Sequence, residues 1–481
     1  MTAATNEYRR RYSTDPPPGF DQWFSFAQEQ ESIIIDNYDM IHNSLAPLRA
    51  LSGQDIRKQM QYVYSHPDGD VWRCTFVAKT NKTECTHPSR SFDRHIHNLF
   101  DLLLGGGDFG TGQQNLTIPP LNVDVTFLVN HLDEPRVLLP PHGADTSINI
   151  ADLSHQPVWD ILTRTCTTKP TTSENTTSVN TYGLPFVTDI HGTNDLCQNP
   201  EYRDMHGMLE SPVSFPLIQG LVPVLSCGVL STMGDVPYPS AAYRESGFLY
   251  DETHDVPWEQ KSKTVYWAGS TTGGYAVDGW NDAWRTFQRQ RLVDVASGHQ
   301  PHTLLSDRHG QVHTEKHHPN GRLWDIAFTR VFQCDHRACR AQISRFRPRP
   351  WAPADAALGA QLVVGVDGNG ISGRYTKLLA SSSAPLKQTL LREWHDERLV
   401  PWVHYFPLSQ SLDEMPELAT FLLTTETGQW AARTVAEEGR VWSQQALRPA
   451  DMAVYMYRLL LELAQLQDPK RPAGAASAPV L

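Results

Sequence analysis

The stretch Thr264-Val-Tyr-Trp-Ala-Gly-Ser-Thr-Thr-Gly-Gly274 reads as a strand running into a loop of glycines and hydroxyls. Trp258-Glu-Gln-Lys261 precedes it, and a helix over Trp280 to Ala296, carrying Arg285, Arg289 and Arg291, is expected behind it. A loop of this composition after a strand presents backbone N–H groups to a phosphate, and the helix N-terminus adds the positive end of its dipole. No Lys-Ser/Thr pair completes a P-loop and the glycines do not fall as GxGxxG, so on spacing alone an ordinary strand–turn–helix junction is the simpler reading. A second junction of the same kind follows. The apolar strand Gln361 to Val366 leads into Asp367-Gly-Asn-Gly-Ile-Ser-Gly-Arg374 and a helix over Tyr375 to Ala380. Two such loops at the carboxyl ends of strands are what a nucleotide-diphosphate clamp in an α/β fold needs, with Arg374 placed to neutralise a leaving phosphate.

Outward from these junctions the chain is that of a folded protein of two or three domains or two large lobes. It has 481 residues, 40% hydrophobic and 20% charged, with 34 Pro and 31 Gly, which excludes a coiled coil or helical rod. Its net charge of -12 argues against nucleic acid as a partner. Residues 16–49 suit one or two amphipathic helices ending at Pro47, while Val71 to Val77 and Val123 to Val129 read as strands, the second broken by Asn130 to Pro135. The uncharged run Ser211 to Gly234 contains Pro212, Pro216 and Pro223 and reads as buried strand and loop rather than a membrane span. Residues 164–182 have loop composition, and so does the stretch His299 to His318, where six histidines stand among charged residues as a solvated loop. Helices close the chain: one from Glu417, one through Trp430 to Val435 with Gly439 as C-cap, and one over Met452 to Leu466. Residues 468–481 read as a disordered tail.

Seven cysteines leave at least one unpaired, and the spacing of Cys334 and Cys339 is compatible with a local disulfide. Asn81, Asn115 and Asn175 begin glycosylation sequons. The first twenty residues show neither a signal peptide nor an anchor. Asp68-Gly69-Asp70 is a formal DxD, but after His-Pro it reads as a turn, and no metal is expected.

Taken together, Trp258-Glu-x-Lys261, Tyr266 to Gly274, Arg289-Gln-Arg-Leu-Val293, Asp367 to Arg374, Lys387 and Pro401-Trp-Val-His-Tyr-Phe-Pro407 stand in one order. That order resembles the capsule-associated-protein domain of glycosyltransferase family 90, which includes the Rumi-type protein O-glucosyltransferases. Pro223 to Ser226 and Asp235 to Pro239 extend the resemblance upstream, and Arg9-Arg-Arg-Tyr12 with Pro16 to Phe20 resembles fungal members. It implies an α/β, GT-B-like fold of two Rossmann-type lobes with a nucleotide-sugar cleft and a C-terminal helical segment. The expected division is a helical segment over residues 1–60, an acceptor-side lobe over 61–250, a donor lobe over 251–430, and helices over 431–467.

The resemblance also implies inverting, metal-independent transfer of xylose or glucose from a UDP-sugar, with no cofactor, to a hydroxyl of a glycan or glycoprotein. The location implied is the Golgi or ER lumen, and membrane association would need a segment outside this chain. The catalytic Asp of the family's Asn-x-x-Asp-x-Pro context matches Asp133 in Asn130-His-Leu-Asp133-Glu-Pro135, with Glu134 as the nearby competitor for the role of base. A carboxylate at a strand end is suited to take the proton from an attacking hydroxyl. The donor is assigned by the same matching to Tyr238, Pro239, Gly269, Ser270, Thr271, Asn369, Gly370, Ile371, Ser372, Gly373 and Arg374. Ala268 stands where the family often has Arg, and no Arg follows Ser270 closely, so Arg285 or Arg289 is left to supply that cation. His404 and Tyr405 read as a buried strand end. Two alternatives share these residues: a non-catalytic lumenal glycan-binding relative, and a glycoside hydrolase using Asp133 with a second carboxylate.

Overall fold

The computed structural model describes residues 1–93, 96–97, 100, 104, 118–141, 147–166, 180–279 and 282–474. Asn115, Asn175, most of the 164–182 loop, Trp280 and residues 475–481 lie outside them.

The strands are β1 (Trp72–Val77), β2 (Lys82–Thr86), β3 (Val125–Val129), β4 (Val137–Leu138), β5 (Asn149–Asp152), β6 (Pro216–Gln219), β7 (Val224–Ser226), β8 (Val236–Pro237), β9 (Ser262–Ser270), β10 (His302–Arg308), β11 (Gln311–His317), β12 (Trp324–Arg330), β13 (Ala360–Val366), β14 (Ala384–Gln388) and β15 (Phe406–Pro407). Two five-stranded sheets dominate. One runs β2-β1-β3-β7-β8, antiparallel at its β2, β1 and β3 side and parallel from β3 to β8; the other, β12-β9-β13-β14-β15, is parallel throughout. A small sheet β4-β6-β5 and the hairpin β10-β11 complete the set, so the fold is mixed α/β.

Burial follows sheet position. β13, in the middle of the parallel sheet, is buried at all seven positions, as expected of a strand covered on both faces. β3, an inner strand of its sheet between β1 and β7, buries Leu128 as fully as Val129. The run Ser211 to Gly234 is buried as expected, but it supplies β6 and β7 to two different sheets.

The chain ends meet in one core. Helix Pro449–Leu466 packs on Phe20–Glu29, and Trp23 Nε1 donates to the Val454 carbonyl at 3.0 Å. The Arg458 guanidinium lies over the rings of Tyr8, Phe20, Trp23 and Tyr38 at 4.7–5.6 Å and pairs with Glu462 at 3.1 Å. The residues at both ends of the chain therefore share a hydrophobic cluster with the β1–β3 sheet.

Several local expectations are corrected. The stretch His299 to His318 forms the β10-β11 hairpin, pairing His302 with His317. Gly439 ends no helix: it is interior to Glu426–Ala446, where a Cβ would press on the His404 carbonyl, so a small residue is needed for close approach. The helix behind the first glycine loop starts at Gln288, after a 3-10 turn over Ala283–Thr286. Among the described cysteines, Cys74–Cys85, Cys166–Cys197 and Cys334–Cys339 are disulfides and Cys227 is a free thiol. Asn81 of the first sequon donates its amide to the Ile118 carbonyl at 2.6 Å and is held in the left-handed region, so it is engaged within the fold.

Candidate active site

Three loops converge. β9 and β13 are neighbouring parallel strands, so their loops leave the same edge of the sheet. The Asp133 loop leaves the carboxyl end of β3 in the other sheet. They meet where Gly370 abuts Asp133: a Cβ on Gly370 would collide with the Asp133 carbonyl, so only glycine lets the second loop lie this close.

The Asp133 loop is shaped from beneath. Asn130 is buried; its Nδ2 donates to the Glu134 carbonyl at 2.8 Å and the Ser226 hydroxyl at 3.1 Å, and its Oδ1 accepts from the Leu132 amide at 3.0 Å. Asp235 accepts from the Arg136 and Val137 amides at 2.9 and 2.8 Å and so fixes the exit of the loop. This leaves Asp133 exposed and Glu134 buried. Burial, then the neighbouring Asp133, push the Glu134 carboxyl up to about 8. Its Oε1 also accepts the amides of Val213 and Ser214, each at 3.1 Å. Adjacent carboxyls thus sit in opposite environments, with the exposed one placed to handle a proton from outside.

The two glycine loops are tied to each other. Asn369 Oδ1 accepts the Gly273 amide at 2.9 Å, and Arg374 Nη1 donates to the Ala268 carbonyl at 2.6 Å. Arg289 lies between them, donating to the Asp367 carbonyl at 2.8 Å, the Ser270 carbonyl at 3.2 Å and the Thr272 hydroxyl. Burial, then the Arg374 charge, lower its pKa to about 9, while Asp367 and Asp133 oppose that shift. Two guanidiniums and two carboxylates therefore share one field.

Of the residues assigned by matching, Asp133, Ser270, Arg289 and Asn369 to Arg374 come together. Gly269 sits over the Trp267 ring. Thr271 is buried and bonds the Phe332 backbone in both directions, so its hydroxyl holds two strand ends together. Arg285 is corrected as the supplementary cation: it is exposed, bonds Asp282 at 2.9 Å and lies over Trp284, whereas Arg289 stands between the loops. Tyr238 is also corrected as a side-chain contact, because its ring is buried against Phe100; Pro239 behind it is buried too. His404 accepts the Val400 amide at 3.0 Å and stacks on Trp442, as a buried strand end should.

Gln288 and His206, unmarked by any motif, lie beneath the loops. Lys387, one of the motif residues, forms a buried network with Glu393 at 3.3 Å and Asp396 at 3.1 Å. His395 bridges the same two carboxylates, and the Tyr243 hydroxyl bonds Glu393. The Lys387 ammonium already supplies the positive charge in this group, which makes it a poor cation cage. A second cluster, Asp70, His87 and His131, brings the Asp68–Asp70 turn beside the Asp133 loop. There His87 Nδ1 accepts the Ser89 and Arg90 amides at 3.1 and 3.2 Å, which puts the ring proton on Nε2, 3.2 Å from Asp70. Nε2 forms no hydrogen bond to Asp70 despite the short distance, and in this tautomer its proton occupies the lone pair that a metal would need.

Comparison with known proteins gives the same direction. Residues 358–478 match the family model described as glycosyl transferase family 90, a segment that includes Asp367 to Arg374 and Lys387 but neither Asp133 nor Ser270. Over 108 residues the chain is 31% identical to protein O-glucosyltransferase 3 of Mus musculus and of Rattus norvegicus, and 30% identical to that of Homo sapiens. The match covers 22% of this chain and 21% of each relative, so the chain spans about a fifth of the length of the curated relatives it matches.

Proposed function

We propose that the protein is a glycosyltransferase that moves a sugar, xylose or glucose, from a UDP-sugar to a hydroxyl of a glycan or glycoprotein with inversion. The observation that carries this reading is the convergence of Asp133 on two linked glycine loops holding Arg289 and Arg374. In this reading the two sheets belong to two GT-B lobes and the donor lies between them. Asp133 takes the proton of the acceptor hydroxyl as its oxygen attacks the anomeric carbon. The bond to the β-phosphate breaks on the opposite side, and its electron pair leaves with UDP. Loop N–H groups, Ser270, Ser372, Arg374 and Arg289 stabilise the charge gained there, a preorganised field in place of a divalent ion. Glu134, bound to two amides in its buried acid form, takes no part in proton removal. The three disulfides favour an oxidising compartment, in keeping with a Golgi or ER lumen. No helix among the described residues is long and apolar enough to cross a membrane.

The test is UDP release by purified protein with UDP-xylose, UDP-glucose, UDP-galactose and UDP-glucuronic acid, in EDTA and with candidate acceptors. Turnover on one donor that falls roughly 10²–10⁴-fold in Asp133→Asn supports the assignment. UDP binding without any release would favour the non-catalytic relative, and release of free sugar without nucleotide would favour the hydrolase.

A further inference from the structure

Gln288 opens the helix Gln288–Ala296 and is fully buried. Its Nε2 faces three carbonyls, Gly368 at 3.2 Å and Gly273 and Asp367 at 3.4 Å, one or more from each glycine loop. Its Oε1 accepts the Gly207 amide at 3.0 Å. Gly207 starts a strap that runs back to the Asp133 loop: the Ser211 carbonyl accepts the Tyr275 amide at 2.7 Å, and the Val213 and Ser214 amides end on Glu134. At the near end of the strap, His206 Nε2 lies 3.6 Å from the Asp367 carboxylate. Space is as tight as the bonding. Gly273 has φ +117° and a Cβ there would collide with the Gln288 amide, while a Cβ on Gly207 would collide with the Gly273 carbonyl.

We infer that Gln288 is a positioning residue whose single carboxamide sets the spacing between the two diphosphate loops and, through the 206–214 strap, the distance from those loops to Asp133. The inference rests on the donor-site reading above. A primary amide fits the role because it offers two N–H donors to one side and an acceptor to the other. A carboxylate would keep the Gly207 bond but turn a negative charge on three carbonyls, and a thioether would fill the space with no bonds at all.

The experiment compares wild type with Gln288→Met and Gln288→Glu in the full chain, reading UDP affinity by calorimetry at 25 °C, KM and kcat for the preferred UDP-sugar, and melting temperature. UDP affinity at least tenfold weaker in folded Q288M, a larger fall in kcat than in Tm would suggest, and no rescue by Q288E are expected. Wild-type UDP affinity in folded Q288M, with only Tm lowered, would overturn the positioning role and leave the donor site standing. Full rescue by Q288E would also overturn it, reducing the role to the Gly207 bond. Absence of UDP binding by wild type would instead remove the donor-site reading and the inference with it. Gln288→Asn, which keeps the amide on a shorter arm and is expected to lose affinity in the same way, decides the matter if Q288M does not fold.

Discussion

Glu134 and Asp133 show how two adjacent carboxyls take different parts. Glu134 is buried with two backbone amides on one oxygen, whereas Asp133 stands exposed at the meeting point of the loops. The folded protein holds the Glu134 carboxyl at about 8 against an ordinary 4.5, so folding favours its acid form. That stabilisation is fully present below about 4.5 and is lost as pH rises through about 8. Gln at this position keeps the acceptor for Val213 and Ser214 without the charge. Melting scans from pH 5 to 9 should therefore show Glu134→Gln gaining on wild type as pH rises, and a constant gap between the two would contradict it. The pair Asn130 and Asp133 was legible from its motif, but the division of labour between Asp133 and Glu134 was not, because it depends on which side chain the fold covers.

At the scale of elements, the site is built by strand ends. β9 and β13 are adjacent and parallel, so two loops far apart in sequence leave one edge together, a consequence of parallel pairing that motif order alone does not supply. Their closeness to the β3 loop depends on Gly370, whose missing side chain admits the Asp133 backbone. Gly370→Ala should destabilise the protein by about 1–3 kcal/mol, as overpacking against unyielding backbone does. It should also cost activity beyond that loss, since the two loops must separate; calorimetric melting with UDP release at 25 °C checks both. Sequence identified these loops and the Arg at the end of one. It left Arg285 and Arg289 open, and only the helix start at Gln288 turns Arg289 between the loops and leaves Arg285 on the surface.

At the scale of the whole molecule, the chain ends close one core. Arg458 is enclosed by four aromatic rings from the first 38 residues and is paired with Glu462, itself bonded by the Tyr8 hydroxyl at 2.9 Å. Removing one partner of a buried pair strands the other charge, so Arg458→Ala should lose roughly 3–5 kcal/mol in urea unfolding. A change under 1 kcal/mol would show that the N-terminal helices hold without the pair. By itself the sequence determined the strand-then-glycine-loop junctions and the amphipathic terminal helices, because each is written in neighbouring residues through periodicity or turn chemistry. Only the tertiary structure decided that Arg289 rather than Arg285 serves the loops, that Tyr238 faces the core, that Gly439 lies within a helix, and that Gln288 and the 206–214 strap bind the three loops together. Those outcomes depend on contacts between segments tens to hundreds of residues apart, where packing space and buried hydrogen bonds select one partner among several that local sequence leaves equal.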